Sequence, residues 1–394
     1  MNLSVVVACQ TAFGRDVVRG VSQFCKEHPR WRLFVAWEHC TQMMETVVSE
    51  GRANGIIAEI WRADQLKVLR KCKTPVVDVS GGWDTMIPPR VQCDNHTAGG
   101  MAAEHLMERG FTRFAYFSTS VYPYRALHAD ERLEGFAGKL KRAGFECNSG
   151  MFQLNVPWRL CNLGEEIAEQ EDVVNWLDKL PKPVGVLCSN DLRAAELVHA
   201  CHHVVARIPN DVAIVGVGND ELACNVCSTP LSSVDISPFK TGYAAASVID
   251  RMSRTGKAPK APVVIEPAGV VVRESSDIFT SDNKAFVAAM QFIQDHAHEP
   301  IQVMDILKVV PVCRSTLERD FVRLLGRTPV SQLRQVRVGR AKKLLVESDM
   351  SIDAIAIRVG FASVTVFSDV FLRETTMRPG EYRKKNRFDL GATA

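Results

Sequence analysis

The chain has 394 residues, 46% hydrophobic and 24% charged, with a formal net charge of +3. That length exceeds one ordinary domain and allows two or three, and the composition belongs to a folded globular protein, not a disordered or fibrous one. No run approaches the roughly 18 uninterrupted apolar residues of a membrane-spanning helix. Met1-Asn2-Leu3-Ser4 puts no basic region ahead of the first apolar run, so neither an export signal nor a membrane is expected.

In chain order, the apolar runs Leu3–Ala8, Leu33–Trp37, Gly55–Ile60, Pro75–Ser80, Phe114–Ser118, Gly185–Ser189 and Val212–Val217 read as buried strands. They are short, rich in Val and Ile, and end at polar or small residues. Amphipathic segments lie between them. Arg15–Glu27 puts Val17, Val18, Val21, Phe24 and Cys25 on one helical face, and Thr97–Arg109 and Asp130–Ala143 end at Gly110 and Gly144. Such alternation predicts parallel sheets covered by helices, with ligands bound beyond the carboxyl ends of the strands. The 12 cysteines are scattered and read as free cytosolic thiols. Cys224-Asn-Val-Cys227 is a single C-x-x-C without a second pair, so no metal and no cofactor is expected.

The pattern changes near Arg273–Asn283, a polar stretch without periodicity that reads as a linker. Beyond it every segment is helical: Asn283–His298, Val303–Val310, Arg314–Leu325, Pro329–Glu347, Ile352–Val359, Ser363–Glu374 and a last piece from Pro379. From Asp282 onward 18 Lys and Arg stand against 13 Asp and Glu, so the positive charge collects where a phosphate-binding surface would want it. A solvated basic tail is the bland alternative. Two segments, 301–329 and 351–383, share one layout: short helix, tight turn, second helix. Leu317 and Phe321, like Phe367 and Phe371, are four apart and should face inward, leaving the opposite faces to a groove. Ala356 should allow close helix approach and Gly360 the turn. The long helix between the repeats would span roughly 28 Å, and carries Arg334, Arg337, Arg340, Lys342 and Lys343, some of them placed to meet phosphates.

This C-terminal part resembles the AraC/XylS-type regulators, through Arg337–Leu345, Ile355-Ala-Ile-Arg-Val-Gly-Phe361, Phe367 with Phe371, and Pro379 with Tyr382-Arg383. The resemblance implies bipartite major-groove contact with double-stranded operator DNA. The implied contacts are Arg314, Ser315, Glu318 and Arg319 in the first recognition helix, and Val364, Thr365 and Ser368 in the second. Arg319 suits a bidentate guanine contact; Asp369 stands where a basic residue is common. The first repeat departs from the pattern at Leu307, Pro311 and Cys313, and the second at Thr376, which replaces the Gly matched by Gly326.

The first part carries Asp94, Asn190-Asp191 and Asp220 after strands, with Phe13 and Arg15 opening one helix and Arg132 near the start of another. Any one such Asp is more often a helix cap. Three of them with two arginines are a kit for vicinal hydroxyls, and an aromatic face can cover a sugar ring. Trp37, Trp61 and Trp83 could add a stacking face, although core packing suits each of them. The region resembles the sensor of LacI-type regulators and periplasmic sugar-binding proteins, through Asp94…Gly99…Ala103-Glu-His-Leu106, Arg132…Gly135-Phe136, Asn190-Asp191…Ala194, Pro209–Gly216…Asp220 and Pro230-Leu-Ser-Ser-Val234. The resemblance implies an α/β two-lobed, periplasmic-binding-protein-like (type I) sensor over residues 1–277. Its lobes would be residues 1–98 with 236–264, and 99–235 with 265–277. Residues 278–283 link it to an all-α domain, 284–394. Phe13, Arg15, Asp94, Arg132, Asp191 and Asp220 carry over as ligand contacts.

LacI-type chains begin with their own helix-turn-helix, whereas this one begins at a sensor strand. The order sensor, then AraC-like reader, resembles the regulators of xylose operons. That resemblance implies a small-molecule sugar effector, D-xylose, and activation of pentose catabolism by a cytoplasmic, nucleoid-associated homodimer acting with RNA polymerase. A different sugar, or repression without ligand, is the alternative. An enzyme is disfavoured: the sequence lacks G-x-S-x-G, a P-loop, zinc-site spacing and G-x-G-x-x-G, since Gly216-Val-Gly218 has no third Gly.

Overall fold

The computed structural model of the chain describes residues 3–8, 11–36, 53–60, 63–70, 72–81, 89–121, 127–154, 171–280 and 283–386. Trp37, Trp61 and Trp83 lie outside the described residues. The chain divides into two compact units: Met1–Leu106 with Thr112–Ile278, and Met107–Phe111 with Phe279–Ala394.

In the first unit, strands β1 (Leu3–Ala8), β2 (Trp31–Ala36), β3 (Gly55–Ala58) and β4 (Val76–Asp78) form one parallel sheet in the order β2-β1-β3-β4. Strand β5 (Val91–Cys93) pairs in parallel with β11 (Val263–Ile265), which returns from much later in the chain. Helices α1 (Ala12–Glu27), α2 (Ala63–Arg70) and α8 (Pro238–Thr255) complete this first lobe. The second lobe is a six-stranded sheet of β6 (Phe114–Val121), β7 (Cys147–Leu154), β8 (Val184–Cys188), β9 (Val212–Val217), β10 (Ser232–Asp235) and β12 (Gly269–Val271). Its order is β12-β10-β9-β8-β6-β7, parallel except for the β10–β12 edge. Helices α3 (Asn95–Glu108), α4 (Leu127–Arg142), α5 (Glu171–Lys179), α6 (Asp191–His203) and the short α7 (Glu221–Val226) cover it.

Every residue of β3, β8 and β9 is buried. Both faces of a parallel sheet are covered, so these strands read as continuous apolar runs without alternation. The α3–α4 crossing is set by two glycines. A Cβ on Gly99 would lie 2.1 Å from the Arg132 carbonyl oxygen, and one on Gly135 2.1 Å from that of His96. Only hydrogen at these positions lets the backbones touch, and that contact holds Arg132 beside the strand ends.

The second unit is helical: α9 (Lys284–His296), α10 (Val303–Val309), α11 (Arg314–Leu325), α12 (Pro329–Glu347), α13 (Ile352–Arg358), α14 (Val364–Thr375) and α15 (Pro379–Asn386). It has two cores. Phe286, Met290, Ile293, Ile306, Leu317 and Phe321 form the first. Val338, Leu345, Ile355, Phe361, Phe367 and Phe371 form the second. Helix α12 serves both, sending Leu333 to one and Val338, Ala341 and Leu345 to the other. Gly360 makes the second turn at φ +95°, where a Cβ would stand 2.3 Å from the Ala297 carbonyl oxygen.

Candidate functional site

A cavity of ≈ 910 Å³ lies in the first unit at the carboxyl ends of strands from both lobes. Sites for small molecules occupy about 300–1,000 Å³. Phe13, Arg15, Arg132, Asp191 and Asp220 all line it. Phe13 and Arg15 sit in the first turn of α1, which begins earlier than its apolar pattern shows because Thr11 accepts the Gly14 amide at 3.0 Å. Asp94 is the exception. Its carboxylate accepts the Thr97 amide and hydroxyl, each at 2.8 Å, capping α3 outside the lining, and its neighbour Asn95 takes the place in the wall.

Arg132 is 5% exposed. Its Nε donates to Asn95 Oδ1 at 3.0 Å and its Nη1 to the Ser189 carbonyl. A buried guanidinium without a bidentate carboxylate is costly unless hydrogen bonds satisfy it, and burial lowers its pKa from the ordinary value. Beside it, burial first and the Arg132 charge second push the His128 imidazole down to about 3, so it is neutral at physiological pH.

Asp191, 4% exposed, accepts from the Ser233 hydroxyl and from the Asp220 amide at 2.8 Å. Burial raises its carboxyl above the ordinary value, against the lowering pull of these two donors. One of its oxygens is thereby tied to β10 and the other to the β9–α7 loop. Asp220 in turn caps α7, accepting from the amides of Leu222 and Ala223. Sequence reasoning missed Glu59, which lines the first-lobe wall at 2% exposure and accepts both the amide and the hydroxyl of Thr11. Its only signal was a carboxylate inside the run Gly55-Ile-Ile-Ala-Glu-Ile60. Cys224 and Cys227 are free thiols, and no group of three metal-ligating side chains occurs among the described residues.

In the second unit Leu317, Phe321, Phe367 and Phe371 are buried. Arg314, Ser315, Arg319 and Thr365 are exposed, with Glu318 and Ser368 half-buried. Arg314 Nε is tied to Glu318 Oε1 at 2.8 Å. Val364 packs partly into the second core, and the neighbouring valine with an exposed side chain is Val366. The expectation that some of the α12 cations meet phosphates narrows to Arg334 and the exposed Lys343. Arg337 is buried and donates to the carbonyls of Ala297 and Glu299, Arg340 donates to that of Gln294, and Lys342 lies over the Tyr382 ring. Arg337 and Arg340 thereby satisfy carbonyls at and just beyond the end of α9, which have no partner within the helix. Cys313, at the N-cap of α11, makes no side-chain cap bond. The hydroxyls of Ser315 and Thr316 hold its thiol down to about 7.

Three family models match consecutive parts of the chain: an XylR N-terminal domain over residues 2–92, a periplasmic binding protein-like domain over 103–276 and a helix-turn-helix domain over 307–385. The xylose operon regulatory protein of Haemophilus influenzae is 26% identical over 389 residues, covering 97% of this chain and 98% of that protein. That of Escherichia coli K12 is 25% identical over 401 residues, covering 98% and 97%. Among solved structures, the xylose-binding transcription activator xylR aligns with a TM-score of 0.59 at 24% identity, covering 98% of this chain and 99% of that one. The chain is thus a sugar-responsive transcriptional regulator of XylR-type build, a periplasmic-binding-protein-like sensor followed by an AraC-type helix-turn-helix reader.

Proposed function

We propose that this regulator is a D-xylose-dependent activator of pentose catabolism genes. It acts in the cytoplasm as a homodimer, binds operator DNA through both helix-turn-helix units and recruits RNA polymerase. The sugar binds without being turned over. The relatives named for xylose operons, matched over nearly their whole length, support the choice of effector.

The observation that carries the sugar site is the chemistry of the cleft. Five carboxylates (Asp16, Glu59, Asp191, Asp220 and Glu221) face three guanidiniums (Arg15, Arg19 and Arg132) in its lining. An excess of acceptors suits a neutral polyol and repels a sugar phosphate. Two of the five N–H donors of Arg132, one on Nε and one on Nη1, are committed to the protein, which leaves donors on Nη2 and Nη1 for a ligand hydroxyl. Phe13 offers a ring to the C–H face of the sugar. A ligand that touches both lobes favours the closed sensor by its differential affinity.

Calorimetry against D-xylose, L-arabinose, D-ribose, D-glucose and D-xylose 5-phosphate tests the reading. D-Xylose should bind tightest and the phosphate not at all. Tighter binding of another sugar would remove the effector assignment; binding of the phosphate alone would remove the polyol argument.

A further inference from the structure

The two recognition helices occupy equivalent places in the repeat, fifty residues apart, and they do not carry the same chemistry. Cys313 corresponds to Ser363, Leu317 to Phe367, Phe321 to Phe371, Gly326 to Thr376 and Pro329 to Pro379. In that register Arg319 of α11 corresponds to Asp369 of α14, and Thr316 to Val366. Thr365, Val366, Asp369 and Arg373 form one exposed stripe on α14. Val366 is 51% exposed on it. Asp369 is exposed and takes part in no hydrogen bond or ion pair among the described residues. No Lys or Arg precedes Arg373 in that helix, whereas α11 carries Arg314, Arg319 and Arg323.

We infer that the two helices read different bases, α11 a guanine through Arg319, and α14 a thymine methyl through Val366 and a cytosine amine through Asp369. This assignment rests on the operator-reading role proposed above. The major groove displays one apolar group, the C5-methyl of thymine, and an exposed valine on the reading face has no other apolar partner there. A carboxylate in the groove is repelled by phosphates and by the N7 and O6 acceptors of guanine. It is satisfied by an exocyclic amine, and the Asp or Glu pairing is with cytosine N4. Arg319, exposed and with no ion pair among the described residues, has the fork that matches guanine O6 and N7, while Arg314 is engaged by Glu318. The operator half under α14 is therefore thymine- and cytosine-bearing on the strand it reads, and the half under α11 carries guanine.

The test is selection of duplexes from a randomised library by the full-length chain with D-xylose present, followed by base replacement in the best duplex. Deoxyuridine at the contacted thymine removes only the methyl and should weaken binding about fourfold. Val366→Ala should abolish that sensitivity while leaving the rest of the site unchanged. Asp369→Asn should move the preference at its position from cytosine to adenine, because the Asn amide pairs with adenine N6 and N7. Arg319→Ala should relax the guanine preference in the other half alone. Enriched duplexes in which deoxyuridine has no effect, or in which Asp369→Asn leaves the base preference as it was, would overturn the inference while the operator-reading role stood. Enrichment of no duplex would overturn both. Thermal melts matching the unsubstituted chain confirm that these exposed substitutions leave the fold intact.

Discussion

Thr376 ends α14 at φ +60°, the conformation that Gly326 adopts at φ +68° at the end of α11. A β-branched residue in the left-handed region costs about 1–2 kcal/mol, and the helix end imposes it here. Thr376→Gly should therefore stabilise the second unit by about 1 kcal/mol, less than the full strain because glycine also loosens the unfolded chain. All six Trp precede residue 180, so urea melts followed by far-UV circular dichroism, and not by tryptophan fluorescence, report the change. A lower midpoint would mean that the hydroxyl bond of Thr376 to the Thr375 carbonyl outweighs the strain. His128 gives a second prediction, in the sensor. The folded chain keeps its imidazole neutral down to about pH 3, while the unfolded chain takes up that proton near 6.5. The unfolded state binds more protons between these limits. Stability therefore falls as pH drops below 6.5, with a slope of up to about 1.4 kcal/mol per pH unit from this group. His128→Gln should flatten that part of the profile in fluorescence-monitored melts; an unchanged slope would show that His128 protonates freely in the folded state.

At the scale of elements, the α3–α4 crossing decides where Arg132 stands. Gly99→Ala would force a Cβ to 2.1 Å from the Arg132 carbonyl and must separate the helices. Overpacking of this kind costs about 1–3 kcal/mol, and here it also displaces the guanidinium. Sugar affinity should fall more than tenfold, with a lower melting temperature for the sensor and unchanged operator affinity in the absence of sugar. Retained sugar affinity would show that the site does not depend on this crossing. Elements of this kind were partly legible. The buried strands announced themselves because a parallel sheet leaves no polar face, and β1 and β9 have the bounds that their apolar runs predict. Strands of three or four residues such as β5, β10, β11 and β12 carry too few side chains to show a period. Within the site, the choice between Asp94 and Asn95, or between Val364 and Val366, turns on helix rotation. Neighbouring residues differ by about 100°, and packing against other helices sets the phase. A strand-end carboxylate is visible in sequence; whether it caps a helix or faces the cleft is not.

For the whole molecule, sugar and operator must be coupled through one conformational equilibrium if the chain is the switch proposed here. Whatever factor D-xylose applies to operator affinity, operator DNA must apply to D-xylose affinity. Separate variants isolate the two ends. Asp220→Asn keeps an oxygen to cap α7 and removes the charge. It should weaken D-xylose binding about tenfold, the loss of one charge-assisted hydrogen bond, while leaving sugar-free operator affinity alone. Arg319→Ala should do the reverse, weakening operator binding by about tenfold or more with sugar affinity intact when no DNA is present. Under saturating D-xylose, Asp220→Asn should recover the full change in operator affinity, because the variant needs more sugar to reach the same state. Titrations of each ligand with and without the other measure both factors. Equal factors in both directions, in the parent chain and in each variant, are the expected result. If D-xylose binds and operator DNA binds but neither alters the other's affinity, the sensor and reader are joined in sequence without being coupled in function, and the effector must act on a step after DNA binding.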